Sequence, residues 1–241
     1  MPAKKDGQDK IAVITGGGSG IGLAMARTFA VSGYSVVITG RDLNRLHVAT
    51  EELSRTKSNV TSVACDVRDP ASVEKLFHEI GKHYSTINVL INNAGVAHGL
   101  APVDQLPVET WKEVIDTNLT GTFLVTRAAL PLMRPGGTIV NNLSVAALQP
   151  FAGMSAYNAS KFGALGFTHA LREDLRKRGI RVLALLPGAT STDIWSQFWP
   201  GAPREKMISA EAVAQAVLHA VSAPANTAIE EIRIGPAAGV L

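Results

Sequence analysis

The chain has 241 residues, of which 46% are hydrophobic, so it is long and apolar enough to form one large globular domain. The formal net charge is only +3 and basic residues are interleaved with acidic ones, which argues against a nucleic-acid-binding protein. No apolar run approaches the length of a membrane span, residues 1–9 read as a polar tail, and Cys65 is the single cysteine. We therefore expect a cytoplasmic protein that has no internal disulfide and no membrane contact.

Seven short apolar runs alternate with longer amphipathic stretches along residues 10–241. This alternation predicts right-handed β-α-β units and therefore an α/β fold, a single doubly wound Rossmann-fold domain with about seven parallel strands and helices on both faces. Asp42 is predicted to begin the second helix and Gly33 to end the first, and residues 108–133 are predicted to be one long helical span. The predicted strands are KIAVIT, SVVIT, VTSVAC, INVLIN, GTIVNNL, IRVLALL and EEIRIG.

A glycine-rich segment, GGGSGIG, follows the first predicted strand and precedes the first helix. The spacing is T-G-x-x-x-G-x-G, because Ile21 stands where G-x-G-x-x-G would need its third glycine. A structural loop is the alternative, but this position between strand and helix favours a turn that binds the pyrophosphate of a dinucleotide. The residues predicted to bind cofactor here are Thr15, Gly16, Gly18, Ser19, Gly20, Ile21 and Gly22.

The end of the second strand discriminates between the two nicotinamide dinucleotides. An NAD site places a carboxylate there for the ribose 2′-hydroxyl, whereas a 2′-phosphate needs a cation. Gly40 and Arg41 occupy this position, and Asp42 is better placed as a helix cap. NADP(H) is therefore favoured, with NAD(H) and an ordinary surface role for Arg41 as the alternatives.

Two further strand ends carry polar residues that suit the same ligand. Asp66, followed by Val67, closes the third strand, where its carboxylate is within reach of an adenine amino group. Asn92 and Asn93 close the fourth strand in NNAG. The alternative for each is ordinary turn chemistry, since Asp and Asn favour local hydrogen bonds at such positions.

Tyr157 and Lys161 are one helical turn apart and share a helix face, and Ser144 ends the fifth strand before them. Lowering a tyrosine pKa from about 10 to about 7 requires about 4 kcal/mol of preference for the phenolate. One cation at about 4–6 Å supplies about 1–3 pKa units, so Lys161 alone falls short and a positively charged oxidised nicotinamide would add to it. With Ser144 holding a carbonyl or alkoxide oxygen, the set predicts proton transfer at an alcohol oxygen coupled to hydride transfer at carbon.

The motifs TGGGSGIG, NNAG, DTNLTG, YNASK and PGATST, in this order, resemble those of the short-chain dehydrogenase/reductase family over essentially the whole chain. The resemblance implies a catalytic tetrad of Asn118, Ser144, Tyr157 and Lys161. In this tetrad Tyr157 is the general acid/base, Lys161 lowers its pKa and binds the nicotinamide ribose, and Asn118 holds a water. The resemblance further implies a homotetramer, with a dimer as the alternative. It also implies that the cofactor is bordered by Asn92, Asn93, Ala94, Gly95, Tyr157, Lys161, Pro187, Gly188, Thr190 and Thr192.

Residues 190–208 are predicted to form a compact substrate lid that contains Trp195, Phe198 and Trp199. These aromatic side chains predict an apolar wall over the substrate, completed by Phe151 and Met154, although packing against a helix or subunit is equally compatible. His98 is a further candidate for the mouth of the site, with simple solvation as the alternative. The predicted substrate set is therefore Ser144, Phe151, Met154, His98, Trp195, Phe198 and Trp199.

We expect an apolar or aromatic ketone, aldehyde or diketone as substrate, as in a carbonyl reductase. The alternative within the family is a 3-oxoacyl or 3-hydroxy acid dehydrogenase. The tail EEIRIGPAAGVL is shorter than and unlike the glycine-rich tail of the family's acyl-carrier reductases, which argues against that assignment. An alternative of another class is a non-catalytic protein that senses the cofactor, because a fold does not fix a function. No metal site is predicted, since the histidines lack ligand spacing.

Overall fold

The chain folds around one parallel β-sheet in a computed structural model that describes residues 10–56, 58–197 and 199–239. The strands of this described part are β1 (Ile11–Thr15), β2 (Ser35–Gly40), β3 (Val60–Ala64), β4 (Ile87–Asn92), β5 (Met133–Asn142), β6 (Arg181–Pro187) and β7 (Glu231–Ile234). Their order across the sheet is β3-β2-β1-β4-β5-β6-β7. The predicted doubly wound α/β fold and its seven strands are confirmed, because buried parallel strands are continuous apolar runs that sequence alone locates well.

Helices cover both faces of this sheet. They are α1 (Gly20–Val31), α2 (Leu43–Leu53), α3 (Pro70–His83), α4 (Val108–Ile115), α5 (Gly121–Ala129), α6 (Ser155–Arg176) and α7 (Ala210–Val221). Successive side chains of β1 point to opposite faces, so Ala12 and Ile14 join a core with α1 and α7. Ile11 and Val13 join a second core with α3, α5 and α6.

Two helix boundaries form as the sequence predicts. The Asp42 carboxylate accepts hydrogen bonds from Asn44 N at 3.0 Å and Arg45 N at 3.1 Å, which satisfies free donors at the start of α2. Gly33 follows the end of α1 with φ of +86°, a conformation that favours glycine. None of the helices in the described residues combines the length and apolar character needed to cross a membrane.

The prediction of one helical span over residues 108–133 is wrong in detail. A single π-helical turn, Asp116–Thr120, separates α4 from α5, and Met133 already belongs to β5. Met133 pairs with Ile87, after which the ladder is interrupted and resumes at Thr138 with Val89. The interruption contains Gly136 with φ of +87°, which explains why the strand appeared to begin later.

Candidate active site

The predicted catalytic residues converge at the carboxyl ends of the strands. Ser144 follows β5, while Tyr157 and Lys161 lie on the first two turns of α6, and all three line one cavity of about 990 Å³. Asn118 lies in the π-helical turn behind this cavity and is buried. The geometry therefore assembles residues from three separate elements at the position where doubly wound sheets bind ligands.

Tyr157, Ser144 and Lys161 line the same part of this cavity. The Ser144 hydroxyl lies close enough to the Tyr157 phenol to influence its pKa, and Lys161 Nζ lies 5.5 Å from the centroid of the Tyr157 ring. Lys161 Nζ also donates a hydrogen bond to the Asn142 carbonyl at 3.1 Å. A hydroxyl pair beside a buried amine can hold a substrate oxygen and exchange a proton with it.

Burial dominates the ionisation of both groups. It raises the pKa of Tyr157 above its usual value, which the hydrogen bond with Ser144 partly offsets. Burial also lowers the pKa of Lys161 to about 8, because an ammonium is poorly solvated there. The contact with Ser144 thus opposes the effect of burial on the pKa of Tyr157.

The Asn118 side chain is fully engaged with a neighbouring loop. Its Oδ1 accepts from Val96 N at 2.8 Å, and its Nδ2 donates to Val96 O at 2.9 Å and to Ser160 Oγ at 3.0 Å. A Cβ added to Gly95 would lie 3.3 Å from Asn118 Oδ1 and 3.7 Å from Lys161 Nζ. Asn118 thus fixes the loop that follows β4 close beside the lysine.

The glycine-rich turn is tied to the end of β4. Thr15 Oγ1 accepts from Asn93 N at 2.9 Å and Ala94 N at 3.0 Å, while Asn93 Nδ2 donates to Thr15 O at 2.9 Å and Gly16 O at 3.1 Å. A Cβ on Gly22 would lie only 2.2 Å from Gly16 O, so α1 approaches the turn too closely for any side chain. The turn at the start of α1 is a cradle that fits a pyrophosphate.

Two arginines lie at the other end of this cradle. A smaller cavity of about 200 Å³ is lined by Arg41, Arg45 and Val67 among others, and both arginines also line the main cavity. Arg45 was missed by sequence analysis, although its place in the first turn of α2, one helical turn after Arg41, is a usable signal. Glu113 lies 3.7 Å from Arg41. These guanidinium groups suit a phosphate on the adenosine ribose.

Asp66 and Asn92 are placed differently from the sequence expectation. The Asp66 carboxylate is held by Arg68, with Arg68 Nη2 to Asp66 Oδ2 at 2.6 Å, and this bond lowers its pKa. Asp66 lines neither cavity. Asn92 points into a buried network with Thr126 and Asn141, each at 2.8 Å, because alternate residues of β4 face opposite sides of the sheet.

Comparison with known proteins identifies this arrangement. The family model described as short chain dehydrogenase matches residues 10–202. The chain is 35% identical over 237 residues to "Sulfoacetaldehyde reductase 2" of Chromohalobacter salexigens, covering 94% of each protein. It is 34% identical over 237 residues to "NADP-dependent 3-hydroxy acid dehydrogenase YdfG" of Salmonella typhi, again with 94% of each covered. The solved closed form of serine dehydrogenase with NADP+ superposes with a TM-score of 0.87, at 31% identity and 96% coverage of each chain.

The chain belongs to the short-chain dehydrogenase family. The resemblance seen in the motifs is therefore confirmed, and the protein is an NAD(P)-dependent oxidoreductase that acts between CH–OH and C=O groups. Within this short-chain dehydrogenase, Thr15 and Gly22 support the cradle from behind without lining either cavity. The predicted cofactor residues that do line a cavity are Gly16, Gly18, Ser19, Gly20, Ile21, Arg41, Val67, Asn93, Ala94, Gly95, Tyr157, Lys161, Pro187, Gly188, Thr190 and Thr192.

Aromatic residues predicted to contact substrate line part of the cavity. Trp195 and Trp199 lie edge to face with ring centroids 6.0 Å apart, and Trp195 Nε1 donates to Thr190 O at 2.8 Å. Both line the cavity together with Phe151 and Met154. Phe198, the remaining predicted wall residue, lies outside the described residues.

His98 occupies a different place from the mouth predicted for it. It is buried and does not line the cavity. Its Nδ1 lies 2.7 Å from Gly99 O, and its Nε2 accepts a 3.5 Å hydrogen bond from Tyr157 N. A carbonyl can only accept, so Nδ1 donates to Gly99 O, and Nε2 is the acceptor at the start of the helix that carries Tyr157.

The cavity-lining residues that sequence analysis missed include Asn142 and Arg233, which come from distant elements. Asn142 Nδ2 donates to Asn93 Oδ1 at 2.8 Å, which links the lysine-binding strand end to the glycine-rich turn. Across residues 10–56, 58–197 and 199–239, no group of three or more His, Cys, Asp or Glu residues is placed to hold a metal ion.

Proposed function

We propose that the protein is an NADP(H)-dependent carbonyl/alcohol oxidoreductase in which Tyr157 is the general acid/base. The observation that carries this proposal is the placement of Ser144, Tyr157 and Lys161 together in a cavity that continues to the glycine-rich cradle and Arg41. A bound nicotinamide supplies or accepts the hydride at carbon. The protein's own residues manage the oxygen: Ser144 donates a hydrogen bond to it, and Tyr157 gives or takes the proton.

The raised pKa of Tyr157 suits the reducing direction. A phenol that stays protonated at neutral pH is ready to donate to the developing alkoxide. Lys161, fixed by the Asn142 carbonyl, provides the nearby cation that stabilises the phenolate after proton transfer. Asn118 contributes by holding the loop beside Lys161.

NADP(H) is the proposed cofactor, with NAD(H) as the weaker alternative. Arg41 follows β2 where an NAD-specific site would place a carboxylate, and Arg45 adds a second guanidinium at the same end of the cavity. The Salmonella relative is named as NADP-dependent, and the serine dehydrogenase structure contains NADP+. Both facts support the assignment.

The aromatic wall supports an apolar or aromatic carbonyl substrate, as in a carbonyl reductase. Trp195, Trp199, Phe151 and Met154 supply that wall. A 3-hydroxy acid dehydrogenase is the second candidate, supported by the named activity of the Salmonella relative. A non-catalytic cofactor sensor is the weakest reading, because all four positions of the tetrad are filled.

We further propose a homotetramer, with a dimer as the alternative. Trp111 on α4, Phe123 on α5 and Phe162 on α6 are large apolar side chains left 41%, 44% and 45% exposed in the single chain. Such side chains on neighbouring helices support a subunit interface. A cytoplasmic location, where reduced nicotinamide cofactors are supplied, stays a prediction.

The test follows NADPH and then NADH absorbance with a panel of ketones, aldehydes, diketones, 3-oxo acids and acyl thioesters. We expect NADPH to be consumed faster than NADH, and Tyr157→Phe to lower kcat by about 10³-fold while NADPH binding, measured by fluorescence, is retained. The matched control is Tyr84→Phe, which alters a tyrosine that does not line the cavity. Unchanged turnover in Tyr157→Phe would disprove the role of Tyr157, and faster use of NADH would disprove that of Arg41.

A further inference from the structure

Arg233 lies on β7 and lines the cavity that contains Tyr157. The neighbouring side chains Ile232 and Ile234 pack into the core that includes α7. Glu231 points to the other face, where its Oε1 lies 2.9 Å from His169 Nε2 on α6. Because strand side chains alternate, Arg233 shares the α6 face, which is the face of the catalytic helix.

The strand order places Arg233 far from the proposed phosphate site. Arg41 follows β2, and β1, β4, β5 and β6 lie between β2 and β7. At about 4.8 Å between strands, the two strand ends are about 24 Å apart. Ser144 and Pro187, which follow or end β5 and β6, lie between them. Arg233 is therefore at the substrate end of the cavity and is not a ligand for the adenosine phosphate.

The guanidinium of Arg233 has no anionic partner in the described part of the chain. The nearby carboxylates are used by other residues: Glu230 pairs with Arg172 at 3.5 Å, Glu231 with His169, and Asp193 with Arg204 at 3.7 Å. Arg233 itself forms no ion pair or side-chain hydrogen bond with residues 10–56, 58–197 or 199–239. Its planar fork of donors is thus available for a bidentate contact with an anionic oxygen group.

We propose that Arg233 is an anion subsite that binds a carboxylate or sulfonate at the end of the substrate remote from the reacting carbon. This inference rests on the proposed oxidoreductase function and narrows its substrate class to oxo acids and hydroxy acids. The apolar part of such a substrate packs on Trp195 and Trp199. An arginine at this end of the cavity favours an anionic substrate, because a neutral analogue forgoes the charge-assisted hydrogen bonds.

The test measures equilibrium binding to the NADP+-loaded protein through the quenching of tryptophan fluorescence, since Trp195 and Trp199 line the cavity. The probes are a 3-hydroxycarboxylate, its methyl ester and the corresponding hydroxysulfonate. We expect the two anions to bind at least about 10-fold more tightly than the ester, as one charge-assisted contact gives. Equal binding by carboxylate and sulfonate assigns the shared anionic group, and preference for one identifies which acid fits.

Variants at the same position make the test specific. Arg233→Gln is expected to remove the preference for the anions while leaving ester binding unchanged, and Arg233→Lys to retain part of it because it keeps the charge without the fork. Arg55→Gln is the matched control, since Arg55 is an exposed arginine that does not line the cavity, and it should keep the preference. Equal weakening of acid and ester in Arg233→Gln, or no change in either, would overturn the subsite.

Turnover measured on the same compounds separates this inference from the proposed function. Oxidation of the ester and the acid at equal kcat/KM by the wild type would overturn the anion subsite and leave the oxidoreductase proposal intact. Binding preference for the anions without turnover of any compound would instead remove the catalytic proposal and leave the subsite standing.

Discussion

Lys161 is expected to lower the stability of the folded protein although turnover requires it. Burial lowers its pKa from 10.5 to about 8 in the folded state, so below pH 8 folding requires a poorly solvated charge. At about 1.36 kcal/mol per pKa unit, burying this charge lowers the free energy of unfolding by about 3 kcal/mol. Replacing Lys161 removes that cost but also loses its hydrogen bond to Asn142, which contributes about 1 kcal/mol. We therefore expect Lys161→Met to raise the free energy of unfolding at pH 7 by about 2 kcal/mol and to abolish turnover.

The sign of the pH dependence follows from the direction of that shift. Between pH 8 and 10.5 the unfolded chain binds more protons at this lysine than the folded protein does, so wild-type stability rises with pH in that window. The stability advantage of Lys161→Met should therefore be full below pH 8 and fade above it, as measured by urea unfolding at a series of pH values. Lys75→Met on α3 is the control, and an equal gain there would contradict the argument.

His98 is expected to position Tyr157 without touching substrate. The first turn of α6 has no acidic residue and no capping side chain at Met154, so the His98 ring is an acceptor for that helix start. A lost cap costs about 0.5–2 kcal/mol of helix stability, so His98→Leu should lower the free energy of unfolding by about that amount and lower kcat by displacing Tyr157, with little change in NADPH binding. His98→Gln, whose amide oxygen can accept the same bond, should restore most of the loss. Equal kcat in all three proteins would show that the contact has no catalytic effect.

At the scale of elements, α1 packs so closely against the glycine-rich turn that position 22 has no room for a side chain. Gly22→Ala would force its Cβ against Gly16 O and Asn93 Nδ2, at 2.2 and 2.4 Å, so α1 or the turn must move. We expect loss of NADPH binding by at least about 10-fold and a lower Tm, by fluorescence titration and thermal unfolding. Gly166→Ala on α6, whose Cβ would meet nothing within 4 Å, is the control and should stabilise by about 0.5–1 kcal/mol. Normal NADPH binding by Gly22→Ala would disprove the packing argument.

Elements differ in how much of them the sequence reveals. The strands and the Asp42 and Gly33 boundaries were predicted because apolar runs and capping residues are local signals. The π-helical turn at Asn118 was not, since a one-residue shift in hydrogen bonding leaves the composition unchanged. Arg45, Asn142 and Arg233 were missed as site residues because their roles depend on which strand ends and helices become neighbours in space.

At the scale of the whole molecule, the exposed apolar residues on α4, α5 and α6 predict how subunits associate. Leu119 lies against Gly163, and Phe123 meets Phe167 edge to face at 6.1 Å, so the π-helical turn and α5 run beside α6. A stable interface buries about 800 Å² per partner, and charges are costly at its centre. We therefore expect Phe162→Glu to convert the proposed tetramer to smaller species in sedimentation velocity.

The control for this prediction is Val48→Glu on α2, where an equally apolar side chain is 62% exposed on a different helix. Exposure alone does not make an interface, because single apolar residues are common on protein surfaces. Association that depends on the joined face of α5 and α6 should survive Val48→Glu and weaken in Phe162→Glu, with NADPH binding retained in both. A wild-type chain that sediments as a monomer would instead mean that these aromatic residues remain solvent-facing and that the site is complete within one subunit.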